Sequence, residues 1–260
     1  MRVRVEGGAG GGAPGSGADA QGDTQGGYGG YVYGNFPVTP GQTVLMTAGG
    51  QGLIDGTRGL SQAGSGGTAY DGGGGGGGGG SRVLLDGVVA AWAGGGGGGS
   101  VAYHNGTAYT PRFNDGQTGA PGETGVSRYL VPPGGDLSDA FSIANGGNPG
   151  TETTPGTGGG FSGQRVRAKV GRAASGTNGG FGQTTPEDLR AGTGGSGAGG
   201  GGYQGGGSGG TLYAVVNNDH GVIPGGGGGG SNYLNPGLTA TVVAQAGFVR
   251  AGRVIINIAS

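Results

Sequence analysis

Short hydrophobic runs separated by glycine-rich stretches are the main pattern of this chain. The runs are rich in valine, isoleucine, tyrosine and threonine, and several alternate with polar residues, which is typical of β-strands. The predicted strands are Met1–Val5, Tyr31–Tyr33, Thr43–Thr47, Arg82–Leu85, Val88–Trp92, Thr211–Val216, Thr241–Val243 and Arg253–Ile258. Turns are predicted at Pro40-Gly41 and at Asp86-Gly87, and the second joins two runs into a hairpin. Helical periodicity is nearly absent, so the expected fold class is mainly irregular or β, with almost no α-helix.

Glycine accounts for 81 of the 260 residues, and three uninterrupted blocks stand out: Gly72–Gly80, Gly94–Gly99 and Gly225–Gly230. A block without side chains cannot be held by hydrophobic burial, so it is either a flexible linker or a structure made of backbone alone. The second option is polyglycine II, a left-handed helix with three residues per turn and no internal hydrogen bonds. Such helices are stable only side by side, where each satisfies the N–H and C=O groups of its neighbours.

The strand-like runs favour the backbone structure over the linker. A flexible glycine spacer is not expected to be interrupted by β-branched hairpins at the ends of its glycine blocks. A helix over Gly72–Gly80 would span about 28 Å at about 3.1 Å per residue, and strands at both ends would clamp a bundle of such helices. We therefore predict a polyglycine II helix bundle flanked by short β-strands and hairpins.

Composition excludes several classes of protein and partner. Charged residues make up 10% and apolar residues 32% of the chain, too little for a conventional core, and composition alone would suggest disorder. The net charge of −1 provides no electrostatic basis for a nucleic-acid partner. Cysteine is absent, which excludes disulfides and thiolate metal sites. No apolar stretch approaches the length of a membrane span, so membrane insertion is not expected.

The distribution of glycine predicts three regions. Residues 1–100 form the first part of the glycine-rich scaffold, residues 101–190 an inserted aromatic and polar region, and residues 191–260 the second part with a C-terminal strand. Loops on a rigid scaffold are common places for recognition, so the insertion is expected to face a host or neighbouring subunits. The candidate recognition residues are Tyr103, Tyr109, Phe113, Tyr129, Phe141, Arg165, Arg167 and Arg172.

These candidates have structural interpretations as well. The aromatic residues of the insertion are as compatible with packing as with ligand contact, although aromatic faces do stack on sugars. Arg165, Arg167, Lys169 and Arg172 nearly alternate, which is typical of a solvated strand edge that discourages aggregation, and contact with an anionic cell envelope is the alternative. Four further aromatic residues are expected to cover the ends of the bundle: Tyr28, Tyr31, Tyr33 and Trp92.

No catalytic or metal-binding motif is supported. Gly206–Gly210 fits the nucleophile-elbow pattern around Ser208, with Asp219 and His220 following, but the elbow requires a strand–turn–helix context that the sequence lacks. His104 and His220 are too few for a metal site. Matches to G-x-G-x-x-G follow from composition alone. We expect no enzymatic activity, no metal and no cofactor.

Several short motifs occur in a fixed order along the chain. They include Gly-Gly-Tyr28-Gly-Gly-Tyr31, Asn35-Phe36-Pro37-Val38-Thr39-Pro40-Gly41-Gln42-Thr43, Ala48-Gly49-Gly50-Gln51-Gly52, Tyr203-Gln204, Asn232-Tyr233 and Gly252-Arg253-Val254-Ile255-Ile256. Over about residues 1–100 and 200–260 this order resembles the glycine-rich domain family. That family occurs in bacterial surface proteins, in phage tail proteins and in the extracellular part of anaplastic-lymphoma-type receptor kinases.

The resemblance implies a bundle of polyglycine II helices with a structural role. Receptor members use cysteines that this chain lacks, whereas phage tail-tip adhesins combine polyglycine II layers with aromatic loops that bind the host, and the chain also looks like glycine-rich minor tail proteins of actinobacterial phages. We expect a non-enzymatic virion protein, a phage minor tail or tail-tip protein involved in host recognition or attachment. Its expected partners are other tail proteins and a glycan or protein of the host envelope.

The expected location is the virion tail, after synthesis in the host cytoplasm, because Met1–Glu6 has no apolar segment typical of an export signal. A bacterial cell-surface or matrix structural protein is the alternative. An ice-binding protein ranks third, since it calls for regular threonine or alanine ridges that the sequence does not display. Nothing in the sequence indicates an oligomeric state.

Overall fold

The structure, a computed structural model, describes residues 1–12, 26–54, 56–69, 74–100, 102–104, 107–109, 128–129, 143–162, 166–183, 195–216, 219–237, 239–245 and 251–258. These residues contain β-strands and no α-helix, which confirms the expected fold class. The strands are β1 (Arg2–Glu6), β2 (Gly30–Asn35), β3 (Val44–Thr47), β4 (Ser81–Leu85), β5 (Val88–Ala93), β6 (Ala102–His104), β7 (Thr107–Tyr109), β8 (Arg128–Tyr129), β9 (Ile143–Ala144), β10 (Phe161–Ser162), β11 (Val166–Lys169), β12 (Thr211–Val216), β13 (Asp219–Pro224), β14 (Tyr233–Leu234), β15 (Thr239–Gln245) and β16 (Arg253–Asn257).

The strands form four small antiparallel sheets. Sheet 1 has the order β15-β2-β1-β16 and sheet 2 the order β14-β5-β4-β3. These two sheets contact each other through the main hydrophobic cluster, which consists of Val3, Val5, Val32, Phe36, Val83, Ala90, Ala91 and Ala93. Sheet 3 has the order β11-β12-β13-β6-β7 and sheet 4 the order β10-β9-β8. Sheets 3 and 4 share a smaller cluster of Ala144 and Leu212 with Ala168 packed against it.

The predicted hairpin between β4 and β5 closes with the predicted turn. Asp86 and Gly87 both have positive φ, 48° and 81°, as a two-residue hairpin turn requires. The carboxylate of Asp86 also accepts a hydrogen bond of 2.8 Å from the backbone N–H of Thr43, which fixes the entry to β3. This hairpin therefore leads the chain out of one glycine helix, residues 74–80, and back into another, residues 94–100.

Glycine helices connect the two pairs of sheets. Residues 94–100 run from β5 in sheet 2 to β6 in sheet 3, and residues 225–230 run back from β13 in sheet 3 to β14 in sheet 2. Sheets 1 and 2 therefore lie at one end of the helices, here called the near end, and sheets 3 and 4 lie at the other, the far end. At about 3.1 Å per residue, a helix of this length separates the two ends by about 20 Å.

The central helix, residues 196–202, has the hydrogen bonds of polyglycine II. Its N–H groups donate to three neighbouring helices in rotation, and the same neighbour recurs after every third residue. The donor–acceptor pairs are Gly197–Gly225 and Gly200–Gly228, Ala198–Gly75 and Gly201–Gly78, and Gly199–Gly180 and Gly202–Thr177, at 2.9–3.1 Å. Its carbonyls accept from three further helices, through the N–H groups of Gly209 and Gly206, Gly98 and Gly95, and Gly67. Six neighbours and a repeat of three residues define a hexagonally packed polyglycine II bundle.

The same hydrogen bonds arrange the helices in three layers. The middle layer contains residues 49–54, 74–80, 196–202, 204–210 and 156–160, in that order. One outer layer contains residues 56–60, 64–69, 177–182 and 171–175, and the other contains residues 7–12, 94–100, 225–231 and 145–151. Residues 26–30 pack outside the second outer layer. The bundle is thus a slab whose stiffness comes from lateral backbone hydrogen bonds.

Glycine is required where helices in this slab approach each other. A Cβ at Gly200 would overlap the carbonyl group of Gly95, and a Cβ at Gly77 would overlap that of Gly199. Of the glycines at the ends of the three predicted blocks, Gly80, Gly94, Gly99, Gly225 and Gly230 lie in the bundle, whereas Gly72 lies outside the described residues.

Buried serines accept hydrogen bonds from backbone N–H groups at or next to the ends of neighbouring glycine helices. In each case the serine Oγ accepts a hydrogen bond of 2.8–2.9 Å from a backbone N–H of a neighbouring segment. The pairs are Ser81 with Gly49, Ser208 with Arg172, Ser196 with Gln183, and Ser231 with Gln204. These serines are almost completely buried. They act as caps, in the way that a serine caps an α-helix.

Trp92 has the structural role predicted for it. Its side chain is buried, its ring meets the edge of Tyr203 at 5.7 Å between centroids, and Tyr203 stacks on Tyr233 at 4.1 Å. The guanidinium of Arg82 lies 5.1 Å from the Trp92 ring centroid. Because Tyr203 and Tyr233 each follow a glycine helix, this cluster covers the near end of the bundle.

A buried carboxylate links the first and the last strand of the chain, which are neighbours in sheet 1. The Glu6 side chain is 1% exposed, and its oxygens accept hydrogen bonds from Arg4 Nε and, at 2.6 and 3.1 Å, from Nε and a terminal nitrogen of Arg253. Hydrogen bonding to the Glu6 carboxylate and its charge raise the pKa of Arg253 above the ordinary arginine value. Since Glu6 is in β1 and Arg253 is in β16, the pair connects strands that are far apart in sequence.

The predicted division of the chain at residues 100 and 190 stays a prediction, but part of the predicted insertion belongs to the bundle. Residues 145–160 and 171–183 fall within the predicted insertion, yet their backbones are hydrogen-bonded into the bundle. Gly147, for example, donates to Gly226, and Gly179 donates to Ser65. Glycine spacing in these segments is interrupted by Asn, Thr and Pro, which made them look unlike scaffold.

Candidate recognition site

The structure assigns four of the predicted recognition residues to strands at the far end. Tyr103 is in β6, Tyr109 in β7, Tyr129 in β8 and Arg167 in β11. Tyr103 pairs with Val222 of β13, and Tyr109 and Arg167 lie in β7 and β11, the two edge strands of the same sheet. The predicted residues Phe113, Phe141 and Arg165 lie outside the described residues. Sequence positions spread over more than sixty residues are thus brought to one end of the slab.

Arg172 is exposed on the bundle, close to these far-end strands. Its backbone is held firmly, because its N–H donates to Ser208 Oγ at 2.8 Å and its carbonyl accepts from the Ser208 N–H at 2.9 Å. The side chain extends from a helix whose backbone is fixed on the middle layer. Such an anchor presents the guanidinium with little backbone entropy left to lose on binding.

Three exposed apolar residues lie around Arg172: Phe161, Val170 and Phe181. Gly171 donates a hydrogen bond of 2.8 Å to Gly159, which brings the segment of Val170 next to that of Phe161. Phe181 is in the adjacent helix of the outer layer and follows Gly180, where an added Cβ would overlap the Arg172 carbonyl. We call Phe161, Val170, Arg172 and Phe181 the far-end patch.

The far-end patch combines two kinds of binding group. Aromatic rings offer flat apolar faces that stack on the apolar faces of sugar rings. A guanidinium binds carboxylates and phosphates through paired hydrogen bonds. Together they suit an anionic or sugar-containing surface.

The outer layer that carries Arg172 and Phe181 presents outward-facing residues at a regular spacing. In residues 64–69 and 178–182 every third residue is exposed or half-buried and the residues between are buried, because three residues complete one turn. Residues 171–175, at the edge of the layer, are all exposed or half-buried. The outward residues are Arg172 and Ser175, Asn178 and Phe181, Ser65 and Thr68, and Thr57 and Leu60. Asn178 Oδ1 accepts a hydrogen bond of 2.9 Å from the Ser65 N–H across neighbouring helices.

The motifs rejected as catalytic are part of the scaffold or the sheets. Ser208 is buried in the middle layer, and its Oγ is used by the Arg172 N–H. Asp219 and His220 are in β13, and His104 is in β6. Within the described ranges, no group of three or more His, Cys, Asp or Glu side chains could hold a metal ion. The same ranges include no helix long and apolar enough to cross a membrane.

The sequence did not point to Phe161, Val170 and Phe181 as surface residues. Their exposure follows from the register of the outer helices, and a spacing of three from Asn178 to Phe181 is the available signal. No protein-family model, curated protein or solved structure matches the chain.

Proposed function

We propose that the chain is a non-enzymatic structural protein of a virion, a phage minor tail or tail-tip protein that takes part in host-surface recognition or attachment. The observation that carries this proposal is the far-end patch, an exposed group of aromatic and cationic side chains mounted on a rigid bundle. A tail tip needs a stiff mount without disulfides, and lateral backbone hydrogen bonds supply that stiffness without a large core. The resemblance to glycine-rich tail proteins supports the same role.

The proposed partners occupy different ends of the molecule. The far end faces the host envelope, where glycans and anionic polymers match the aromatic and guanidinium groups of the patch. The near end, with its packed sheets, faces other tail proteins. The protein is made in the host cytoplasm and assembled there into the tail.

Two other functions have less support. A bacterial cell-surface or matrix protein would use the same bundle, but such a role requires no exposed aromatic patch at one end. Ice binding calls for repeated threonine or alanine ridges, whereas the outer layer presents Arg, Ser, Asn, Phe, Thr and Leu at its outward positions.

Host binding is expected to depend on the far-end patch. The double variant Arg172→Ala, Phe181→Ala should bind isolated actinobacterial cell walls at least about tenfold more weakly in a sedimentation assay, because each lost anchor costs about 1 kcal/mol or more. The matched control is Leu60→Ala, which removes a side chain that is 65% exposed on the same outer layer toward the near end. Equal binding of the double variant and the control would reject the patch as the contact surface.

The location in the particle is tested independently of binding. Mass spectrometry of purified phage particles and immunogold labelling should detect the protein at the tail. Its absence from particles, together with its presence on bacterial cell surfaces, would favour the matrix alternative.

A further inference from the structure

The outer strands of sheets 1 and 2 form one continuous flank at the near end. β16 is the last strand of sheet 1 and β3 the last strand of sheet 2, and the two strands contact each other across the core. The segments that precede and follow them are also joined, because the Gly252 N–H donates to the Gly49 carbonyl at 2.8 Å. Two unpaired sheet edges therefore lie side by side within the described part of the molecule.

This flank is apolar and exposed. Leu45, Met46, Ile255 and Ile258 all expose a substantial part of their side chains, with Met46 52% and Ile258 75% exposed. We call these four residues the apolar flank. Behind them, Val44, Val254 and Ile256 are only partly buried although they pack against the main hydrophobic cluster. The core between the two sheets is thus open on this side.

The edges lack the features that usually prevent strand pairing. Protected edge strands are short, bulged, or carry charges or proline. β14, at the other edge of sheet 2, has two residues, and β11, at an edge of sheet 3, contains Arg167 and Lys169. β3 has no charged residue, and the single charge of β16, Arg253, is bound to Glu6.

We propose that the apolar flank binds a second copy of this chain by antiparallel pairing of the exposed edges. An antiparallel pair of identical strands obeys a two-fold axis, so each edge can pair with its own copy. An axis at Ile255 sets Arg253 opposite Asn257 and Val254 opposite Ile256, so no like charges face each other.

β3 is compatible with the same axis. In β3, a two-fold axis at Met46 sets Met46 opposite its own copy and Leu45 opposite Thr47. Because sheets 1 and 2 stack face to face, one axis perpendicular to both can join β16 to β16 and β3 to β3. Both sheets would then continue from one copy into the other, and the open side of each core would be covered.

This pairing does not depend on the proposed function. It uses the near end and leaves the far-end patch of each copy free. A dimer of this kind would present two far-end patches, which increases the strength of attachment to a repetitive surface through a higher effective concentration.

Oligomeric state tests the pairing directly. Sedimentation-velocity centrifugation of the full chain at micromolar concentrations should show a dimer. Met46→Lys and Ile255→Lys should each raise the dissociation constant of this dimer at least about tenfold. The reason is that each variant places an ammonium group in an apolar contact or opposite its own copy. Val170→Lys, at an exposed apolar residue of the far end, should leave the dimer unchanged. A monomeric wild type, or a dimer that is unaffected by both flank variants, overturns the proposal.

A cysteine cross-link provides a second measurement that does not require a disruptive charge. The chain contains no cysteine, so Ile255→Cys introduces a single thiol. The two-fold pairing brings the two Cα atoms to about 4.5–5.5 Å, within the range that a disulfide spans. Mild oxidation should therefore give a covalent dimer of Ile255→Cys and none of Val170→Cys, whose thiol would lie at the far end. Equal cross-linking of both variants, or none of either, contradicts the proposed register.

Discussion

Gly200→Ala is expected to destabilise the protein by at least about 3 kcal/mol, near or above the upper end of the usual cost of overpacking. The central helix has neighbours in all six directions, so it cannot move away from a new methyl group. The added Cβ would overlap the carbonyl of Gly95, and relieving that overlap would break lateral hydrogen bonds on both sides of the central helix. Urea denaturation followed by circular dichroism measures the loss.

The matched control is Gly160→Ala. Gly160 ends a glycine helix of the middle layer, and a Cβ there would meet only Asn145 Nδ2 at 3.6 Å, an ordinary van der Waals distance. Its stability should stay within about 0.5 kcal/mol of the wild type. If Gly200→Ala were as stable as Gly160→Ala, the helices at the centre of the slab would not be packed too closely to admit a methyl group.

Glu6→Gln is expected to have the second-largest effect, a loss of about 2 kcal/mol. Removing a partner from a buried, charge-assisted hydrogen-bond group commonly costs about 1–3 kcal/mol. The neutral amide would direct an N–H toward the guanidinium of Arg4 or Arg253. Because the side chains of these arginines are 42% and 48% exposed, water compensates part of the lost interaction, and the larger cost typical of fully buried ion pairs is not expected.

The control for the ion pair is Arg2→Met, which removes an exposed arginine from the same strand. Its unfolding midpoint in urea should differ little from that of the wild type. A Glu6→Gln variant with the same midpoint as Arg2→Met would show that the buried carboxylate contributes nothing to stability.

The raised pKa of Arg253 determines the pH range in which its pairing contributes to the free energy of unfolding. A cation with a raised folded-state pKa contributes stability that is fully present below its unfolded pKa and is lost as pH rises through the folded pKa. For Arg253 that loss lies above the ordinary pKa of arginine. The pairing of Arg253 should therefore cause no change in stability between about pH 5 and pH 9.

Local sequence signals predicted most of the strands and the bundle itself. Asp86-Gly87 predicted the hairpin because both residues tolerate positive φ, and the alternation of Arg253–Ile258 predicted β16. The glycine blocks predicted polyglycine II because helices laid side by side satisfy the N–H and C=O groups that a single glycine helix leaves without partners. These features depend on neighbouring residues alone.

The features that the sequence did not reveal depend on lateral neighbours. Glu6 and Arg253 meet only after β1 and β16 pair, and nothing local to either residue indicates the other. Phe161 and Phe181 are exposed because their helices lie in outer positions of the slab. The capping serines resemble ordinary spacers until the end of the neighbouring helix is known.

Amide hydrogen exchange in the central helix directly measures whether lateral backbone hydrogen bonds hold the bundle together. Gly197, Gly199, Gly200, Gly201 and Gly202 each donate to a neighbouring helix, and nuclear magnetic resonance can follow their exchange individually. We expect these amides to exchange as slowly as those in the middle of β1, only when the whole bundle opens. Exchange at the rate of an unstructured glycine peptide would contradict this expectation, because lateral hydrogen bonds between side-chain-free helices would then not hold the molecule together.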